Sequence, residues 1–562
     1  MIYAKKFKKF NIFFLITILF FIFITFDKNC FANDGYFQED QRYKAKDKQE
    51  KNIKKSGEKD VFLKNEVDFL KTELLPEENI MFMINEIILD GDDSREFKWI
   101  QKKLNSFKNR KIGKKGIKNL VQLIEGKLIA KGYSTTKIVI PEQDLLTGVL
   151  HFKIIPGKIG NVNIYGEKNV KWQSAFPFKK GDILNNRNIE QGLEQMLRIQ
   201  SQDVQIKLVP GLNLGETDIC IYVKRGNPVQ SMIVVDDGGT KEIGKVESKL
   251  IYNIDNLFNN NDTFSIALGH DLSFKEDKKG MKNYSLYYTF PYKEWTFSID
   301  KYCFDYHQSL LGFSRDFQYS SRSNHIEITA QKLLNRGQYE KTSISFTLGK
   351  QVINKYLEDI LLDIQSQETS FGKLKLMHRW YNDDIVYDVG VGCNFSLPWL
   401  GSKADVAEIV DKYKIWTFDG QVGMPICILG KKGRYSCQIW GQYTKDYIYP
   451  SDEFAIGGRY TVRGFDGEQS LSDENGFVLR NEWSFFYDSK KDKEYYIGID
   501  WGRINGRYTE DLAGHSLVGS AFGIRGTVDK LQYDVFIGVP IKKPKEFEVN
   551  SVSYGFEVRY LL

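Results

Sequence analysis

The chain has 562 residues, enough for several domains or for one large domain with attachments. Aromatic residues make up 14% of it while the mean hydropathy is −0.40, a combination that favours alternating strands over a helical membrane bundle. The formal net charge of +6 falls to about +2 without the four lysines of the N-terminal segment, and this excludes the basic footprint of a nucleic-acid-binding protein.

Residues 1–32 are typical of a secretory signal peptide. Four lysines precede an apolar run from Ile12 to Phe26, and the stretch Cys30 to Ala32 offers a cleavage site with small residues at its first and third positions. A single membrane anchor is the alternative, but the run is short for a span and a small-residue site follows it. No run of 18 apolar residues occurs later in the sequence, so no transmembrane helix is predicted.

Residues 33–78 form a charged linker before the first predicted domain. From Asn33 to about Asp60 the linker is highly charged and poor in apolar residues, which predicts a solvated, flexible segment. Leucine and valine then recur at helical spacing from Val61 to Leu75. This second stretch is predicted to be a short amphipathic helix.

One pattern occurs twice between about Asn79 and Gly226. Each copy reads as a strand, two helical segments and two strands over roughly 70–75 residues. A repeat carries more information than either copy alone. The sequence therefore predicts two α+β domains of the same fold, at 79–156 and 157–226.

Residues 227–562 show the period-two alternation of strands. In the stretch DTFSIALGH, Phe264, Ile266 and Leu268 alternate with small or polar residues. A soluble sandwich and a membrane barrel both produce this pattern. Many segments reach about 9–12 residues and carry Tyr and Phe near their ends, which favours strands that cross a bilayer. About sixteen candidates are present, so we expect an all-β transmembrane barrel of about 16 antiparallel strands with an aqueous channel.

A loop of about 30 residues, 446–474, is predicted to join the eleventh and twelfth barrel strands. Long barrel loops lie on the extracellular side, so this loop either extends outward or folds back into the lumen. It contains the glycine-rich stretch GGRYTVRGFDGEQSL, in which Arg463 lies between Val462 and Gly464-Phe465. The pattern indicates a shaped turn that presents one cation.

The strand that follows the twelfth offers a carboxylate on its predicted lumen face. In YYIGIDWGR, alternation places Gly498, Asp500 and Gly502 on that face. Glycine inside a strand often marks the close approach of another backbone. A carboxylate between two glycines suits an incoming guanidinium such as that of Arg463.

The same pattern leaves competing partners open. Arg480 and Glu482, on the adjacent strand, are also predicted to face the lumen. Most arginines in barrel loops are simply solvated. Spacing alone therefore does not decide what Arg463 contacts.

Two stretches together resemble the signature pair of the two-partner secretion transporters, the hemolysin-activator and filamentous-haemagglutinin type of outer-membrane pore. They are VRGF at Val462–Phe465 and IGIDWG at Ile497–Gly502. The stretch Val234–Lys245 also resembles the first barrel hairpin of that family, and the resemblance covers nearly the whole chain after the signal. It implies two periplasmic POTRA domains, each β-α-α-β-β, before a sixteen-stranded barrel in the outer membrane of a Gram-negative cell.

The resemblance also implies roles for the site residues. The loop folds back into the pore and Arg463 pairs with Asp500, while Gly464 and Phe465 shape the tip and Gly498 makes room for it. An N-terminal helix can plug the pore in such relatives. The stretch 61–75 is a candidate for this plug, and packing beside the first POTRA domain is equally open.

One feature departs from the family pattern. Such barrels usually end in an aromatic residue, whereas this chain ends in Leu562. Tyr560 lies two positions earlier on the same strand face. The implied assembly signal is therefore weaker or shifted.

The implied function is export of a large, unfolded partner exoprotein of the hemolysin or adhesin type. The POTRA domains bind the passenger by strand addition at a sheet edge or through a groove beside a helix. No nucleotide-binding P-loop occurs in the sequence, and passenger folding outside the cell is the implied source of free energy. The expected protein is a monomeric barrel in outer-membrane lipid, with no cofactor and no nucleic-acid partner.

Three other functions fit the sequence less well than export does. An insertase for outer-membrane proteins shares the loop motif but usually has more POTRA domains, and a solute porin leaves the repeated domains unexplained. An enzyme is disfavoured because the six histidines show no catalytic or metal-ligand spacing. The five cysteines after the signal are scattered, which predicts neither a disulfide framework nor a zinc site.

Overall fold

The structure is a computed structural model that describes residues 38–56, 60–61, 75–167, 170–273, 278–310, 315–382, 384–403, 412–488 and 492–562, with only the backbone at 48 and 51–56. No helix within these ranges is long and apolar enough to cross a membrane. The predicted signal peptide and nearly all of the helix predicted over 61–75 lie outside the described residues.

The first described element is helix α1 (Gln38–Ser56). The sequence predicted a solvated, flexible segment here, and for these residues that prediction is wrong. The helix is highly charged, but its polar side chains find partners on the inner wall of the barrel. These long-range contacts stabilise a helix whose own sequence shows no apolar face.

The first α+β domain contains the predicted β-α-α-β-β elements and a short additional strand pair. Its members are β1 (Met81–Ile84), β2 (Glu86–Gly91), α2 (Lys98–Leu104), β3 (Arg110–Gly113), α3 (Lys114–Ala130), β4 (Lys137–Val139) and β5 (Val149–Ile155). The short pair, β1 with β3, adds a strand between the two helices. Strand β5 lies between β2, to which it is parallel, and β4, to which it is antiparallel. On α3, Leu120, Ile124 and Leu128 recur at helical spacing and are buried against this sheet.

The second α+β domain repeats the arrangement. It contains β6 (Lys158–Gly166), α4 (Asn186–Leu197), β7 (Gln202–Pro210) and β8 (Glu216–Arg225), in the sheet order β6-β8-β7. The first of the two helical segments predicted in this copy is only a 3-10 turn, Trp172–Ser174. Pro177 disfavours the helical conformation of the residue before it, which explains why no longer helix forms.

The remainder of the chain forms a closed antiparallel barrel of sixteen strands. The strands are β9 (Val229–Asp236), β10 (Glu247–Asp255), β11 (Thr263–Asp271), β12 (Gly280–Tyr292), β13 (Trp295–Leu310), β14 (Phe317–Arg336), β15 (Glu340–Leu357), β16 (Ile360–Leu361), β17 (Gln367–Asn382), β18 (Ile385–Leu397), β19 (Lys414–Ile428), β20 (Lys431–Tyr443), β21 (Phe454–Ile456), β22 (Leu471–Asp473), β23 (Asn475–Phe486), β24 (Lys493–Asn505), β25 (Ser516–Val528), β26 (Leu531–Lys542) and β27 (Ser553–Leu561). Strand β16 is a two-residue segment that turns back and pairs antiparallel with the end of β15, and β21 and β22 pair with each other, so these three are not barrel strands.

The barrel closes where its last strand meets its first. Strands β27 and β9 pair over five residues, from Glu557 opposite Asp236 to Leu561 opposite Met232, whereas β14 and β15 pair over seventeen. The outward side chains are apolar and exposed, and polar side chains are buried along the lumen. The prediction of about sixteen membrane-crossing strands is confirmed, and β20 and β23 are the eleventh and twelfth of them.

Ion pairs hold the second α+β domain against the end of the barrel at which the turn between β14 and β15 lies. We call them the docking cluster, which consists of Asp60, Glu190, Glu194, Arg336, Lys341 and Arg379. Arg336 donates to Glu194 at 2.8 Å and to the carbonyl of Val61 at 2.6 Å. Lys341 contacts both Glu194 and Asp60, and Arg379 donates to Asp60 at 2.8 Å. The cluster thus ties the segment after α1 and helix α4 to the turns of the barrel.

We expect this docking to weaken at acid pH. Burial by itself would raise the pKa of Asp60 and of Glu194, but the charges of Lys341, Arg379 and Arg336 lower both pKa values below their ordinary range. Carboxylates with a lowered pKa stabilise the docked state above their ordinary pKa of about 4, and this stabilisation is lost as the pH falls through the lowered values.

Spin labels on the second α+β domain and on the barrel provide the measurement. Their distance distribution should be narrow at neutral pH and broaden below about pH 4. Arg336→Gln should broaden it already at neutral pH, because it leaves Glu194 with one cation fewer. A distribution that stays narrow in the variant and in acid would show that the cluster does not hold the domain in place.

Candidate functional site

The loop between β20 and β23 folds back into the barrel. It begins with a 3-10 turn, Pro450–Asp452, and the ribbon β21–β22 then brackets its central part. We call residues 457–470 the lumen loop. Gly457 and Gly458, at φ 115° and 110°, adopt conformations that favour glycine, and they turn the chain toward the inner wall.

The structure brings Arg463 and Asp500 together. The guanidinium donates through Nε to Asp500 Oδ2 at 2.8 Å and through Nη2 to Oδ1 at 2.8 Å. The backbone N–H of Arg463 also donates to Oδ2, at 2.9 Å. The side chain of Asp500 is fully buried and that of Arg463 is 5% exposed. This is a bidentate, charge-assisted contact shielded from water.

Glycine makes room for the loop on the inner wall. A Cβ at Gly498 would lie 2.3 Å from Nη2 of Arg463, and one at Gly502 would lie 2.7 Å from a methyl group of Val462. Two further glycines complete the seat: a Cβ at Gly519 would meet the carbonyl oxygen of Arg463 at 1.9 Å, and one at Gly538 would meet Gly464 at 2.8 Å.

Sequence reasoning missed Gly519 and Gly538. Both lie on the lumen faces of β25 and β26, the two strands that follow the one carrying Asp500. A glycine at a lumen position of each of three consecutive strands was the available signal. The seat therefore extends over three neighbouring strands, and the loop backbone lies directly against them.

Apolar residues fix the rest of the tip. Val462 and Phe465 are 0% and 2% exposed and pack with Ile456, Val478 and Leu517. The ring of Phe465 also meets that of another aromatic residue, Phe547, edge to face at 5.8 Å. The lumen loop is thus held by a small hydrophobic core as well as by its ion pair, which is unusual for a segment inside an aqueous barrel.

Glu482 and Arg480 belong to the same site. Glu482 accepts a hydrogen bond from Nη1 of Arg463 and another from Arg525 at 2.7 Å. Arg480 lies 3.6 Å from Asp500. Glu482 therefore shares Arg463 with Asp500, whereas Arg480 is the second cation beside that carboxylate. The sequence left Arg480 and Glu482 as competitors for the contact between Arg463 and Asp500. In the structure all four residues form one network.

The electrostatics of the site keep Arg463 charged. The guanidinium lies against two carboxylates, Asp500 and Glu482, and their hydrogen bonds and charges offset the cost of burying it. A buried ion pair that loses one partner leaves an uncompensated charge, which destabilises the structure by about 3–5 kcal/mol. The loop is therefore expected to leave its seat only if another group takes the place of one partner.

Helix α1 fills the lumen beside the lumen loop, and we call it the plug helix. Nζ of Lys46 contacts Asp236 at 2.9 Å and Glu247 at 2.6 Å, and all three side chains are 5% exposed. Further along, Lys249 reaches Glu50 at 2.8 Å. These contacts place the plug helix along the first two strands of the barrel.

Contacts on the opposite wall show that the plug helix spans the lumen. Asp40 accepts hydrogen bonds from Lys355 and from Ser323, on β15 and β14. The ring of Tyr43 stacks on that of Phe304 with 4.4 Å between centroids. The plug helix therefore touches several sides of the barrel at once. This helix spans 38–56, a part of the linker that the sequence did not single out as a plug, and nearly all of the candidate stretch 61–75 lies outside the described residues.

The plug helix and the lumen loop also touch each other. Gln38 donates to the carbonyl of Glu468 at 2.9 Å, and Gln41 donates to that of Pro450 at 2.8 Å. Glu468 in turn accepts from Lys245, in the loop after the first strand, at 3.2 Å. The two occupants of the lumen are thus coupled by direct contacts near its extracellular end.

Comparisons with known proteins agree with this architecture. A family model described as the haemolysin secretion/activation protein ShlB/FhaC/HecB matches residues 215–526. A ShlB-type POTRA domain model matches residues 82–157, and a second POTRA domain model matches residues 158–210. The three matches together cover both α+β domains and most of the barrel.

Individual relatives extend the similarity over nearly the whole chain. The outer membrane transporter CdiB-2 of Burkholderia pseudomallei is 31% identical over 86% of this chain and 87% of its own. The hemolysin transporter protein HpmB of Proteus mirabilis is 24% identical over 71% and 72%. The solved structure of CdiB from Acinetobacter baumannii matches with a TM-score of 0.86 at 25% identity, over 95% of this chain and 100% of that one.

Proposed function

Because the chain belongs to the haemolysin secretion/activation family and is an outer-membrane transporter that secretes a partner exoprotein, we propose that it carries one large, unfolded passenger through its barrel without ATP. Two POTRA domains face the periplasm and the barrel crosses the outer membrane. We further propose that one barrel, embedded in outer-membrane lipid, acts as a monomer.

The observation that carries this proposal is the content of the lumen. A helix of nineteen residues, about 28 Å long, runs through the barrel and is held there mainly by ion pairs and hydrogen bonds. A channel that accommodates a polar helix also has room for an extended polypeptide. Polar contacts can be exchanged for contacts with water or with a passenger, whereas a packed apolar core cannot.

A sheet edge of the second POTRA domain offers a place where the passenger docks. Strand β7 is the outer strand of the β6-β8-β7 sheet, so one of its edges pairs with no strand in the described chain. Leu208 and Val209 on it are each 38% exposed, and Leu212 and Leu214 in the following turn are almost fully exposed. An extended client adds to such an edge through main-chain hydrogen bonds and fills adjacent apolar contacts with alternate side chains.

Passenger folding supplies the free energy in this proposal. The periplasm contains no ATP, and a domain gains about 5–15 kcal/mol when it folds. A segment that folds outside the cell can no longer return through the lumen. Export is then a sequence of passages, each made irreversible by folding on the far side.

Deleting the gene and comparing the secreted and outer-membrane proteins with those of the parent strain tests the proposal. We expect the loss of one or two very large exported proteins, with the outer membrane otherwise unchanged. Restoring the gene with Leu212→Asp and Leu214→Asp should bring back less than about a tenth of secretion, because two apolar contacts are lost.

Leu429→Asp is the matched control, since Leu429 is 98% exposed in the barrel turn between β19 and β20 and is not part of the β7 edge. It should restore secretion fully. Depletion of many unrelated barrel proteins in the deletion strain would instead identify an assembly factor and overturn the proposal.

A further inference from the structure

Three cations project from the lipid-facing side of the barrel where strands β12, β13 and β14 approach the extracellular side. Lys282 and Arg322 flank Asp305 on the strand between them, at 3.8 and 3.6 Å, and their side chains are 69% and 61% exposed. Lys301 lies on the same face. It points away from the lumen, since its neighbour Tyr302 is buried inside the barrel and successive side chains alternate.

The position of Lys282, Asp305 and Arg322 along the membrane normal can be estimated from the aromatic residues at the other end of the same strands. Tyr292 and Trp295 pair at the periplasmic ends of β12 and β13, and Lys282 and Asp305 pair ten residues further along each strand. With a rise of about 3.3 Å per residue and a tilt of 35–45°, the two rows are about 25 Å apart, the height of the apolar band of a barrel. The row formed by Lys282, Asp305 and Arg322 therefore lies at the extracellular interface of the membrane.

Lys301 lies lower, inside the apolar band. Its cross-strand neighbours are Leu286 and Ile326, and Ile326 is 42% exposed to the lipid side. Across the described ranges no carboxylate lies within ion-pair distance of its ammonium group. A lysine on the lipid face destabilises a barrel unless its long side chain reaches up to the interface and meets an anion there.

An apolar groove runs beside these charges. It has a volume of about 670 Å³ and is walled by Leu250, Leu268 and Tyr284, which are 43–54% exposed, with Lys282 and Asp305 on its rim. A groove with an apolar wall and Lys282 at its rim, with Arg322 on the other side of Asp305, matches the two parts of a lipid. Acyl chains fit the wall, and a phosphorylated headgroup fits the rim.

We propose that this face binds a phosphorylated glycolipid of the outer leaflet, with its phosphates on Lys282, Lys301 and Arg322 and an acyl chain along the groove. The patch holds three cations and one carboxylate, Asp305, which pairs with Lys282 and Arg322 only, so the patch carries a net charge of +2 and favours an anion. Arginine binds phosphate through two parallel hydrogen bonds, and lysine adds a point charge.

Titration of the purified full-length protein in detergent with diphosphorylated lipid A, followed by thermophoresis, tests the proposal. A cation near an anionic headgroup contributes about fivefold in affinity, so Lys282→Gln, Lys301→Gln and Arg322→Gln together should weaken binding about a hundredfold. Dephosphorylated lipid A should bind the unaltered protein as weakly as the intact lipid binds the triple variant.

Lys293→Gln, Lys332→Gln and Lys431→Gln form the matched control, because these lysines lie over aromatic rings at the periplasmic end of the barrel. This variant should bind like the unaltered protein. The single variants Arg322→Gln and Lys301→Gln, each expected to lose about fivefold, serve if the triple variant does not fold.

Two results would overturn the proposal. One is equal affinity of the triple variant and the unaltered protein, or of the two forms of lipid A. The other is complete displacement of the lipid by excess inorganic phosphate, which would identify a free-anion site in place of a lipid site.

Discussion

Arg463→Ala is expected to abolish nearly all secretion while the barrel remains folded in the outer membrane. The substitution leaves Asp500, which is fully buried, without its bidentate partner. Breaking a buried pair costs about 3–5 kcal/mol, somewhat less in a wet lumen, and this shifts the ratio of seated to unseated loop by two to three orders of magnitude. Secretion of the passenger into the medium is the measurement, with barrel folding followed by the heat-dependent gel mobility of the protein.

Two further variants separate the loop from general stability. Arg503→Ala removes an arginine from the outward face of the same strand that carries Asp500, and it should leave secretion unchanged. Arg463→Ala combined with Asp500→Asn removes the stranded charge, so it should recover barrel stability but not secretion. If Arg463→Ala secretes normally from a folded barrel, the lumen loop has no role in transport.

Removing the plug helix is expected to open the pore. Deletion of residues 38–56 should convert a barrel that conducts poorly in a planar bilayer into one with a stable, large conductance. Lys46→Glu should act in the same direction, because it places a third carboxylate beside Asp236 and Glu247 in a buried position. Loss of the two ion pairs and the new repulsion raise the population of the open pore by about a hundredfold or more.

A conservative substitution provides the control for this prediction. Lys46→Arg keeps a cation beside Asp236 and Glu247, so it should leave the conductance close to that of the unaltered barrel. Equal conductance of the deletion variant and the complete chain would mean that helix α1 does not limit the flow of ions.

Much of the fold follows from local patterns in the sequence. Period-two alternation predicted sixteen strands and the position of the long loop between the eleventh and twelfth. The lumen faces of β23 and β24 were also predictable, because Arg480, Glu482 and Asp500 alternate with lipid-facing residues. Each of these features depends on residues that are close together in the sequence. The two-residue period of a strand is therefore enough to predict them.

The plug helix was not predictable in this way. Its residues show no apolar face, and its stability depends on Asp236, Glu247 and Lys355, which lie roughly 190–315 residues away in the sequence. The contact between Arg463 and Asp500 is a similar case. Spacing alone left it among several alternatives, and only the resemblance to a family singled it out.

The plug helix also changes how often the chain passes through the membrane plane. Sixteen strands alone would leave both ends of the chain on the periplasmic side, but α1 adds a seventeenth passage. Gln38, beside the lumen loop, and Leu561, at the end of the last strand, therefore lie on opposite faces of the membrane. We expect an epitope inserted at Gln38 to be accessible from outside the cell while the helix occupies the lumen, and to lose that accessibility when the helix leaves toward the periplasm. The accessibility of Gln38 at the cell surface would thus indicate whether the helix occupies the lumen.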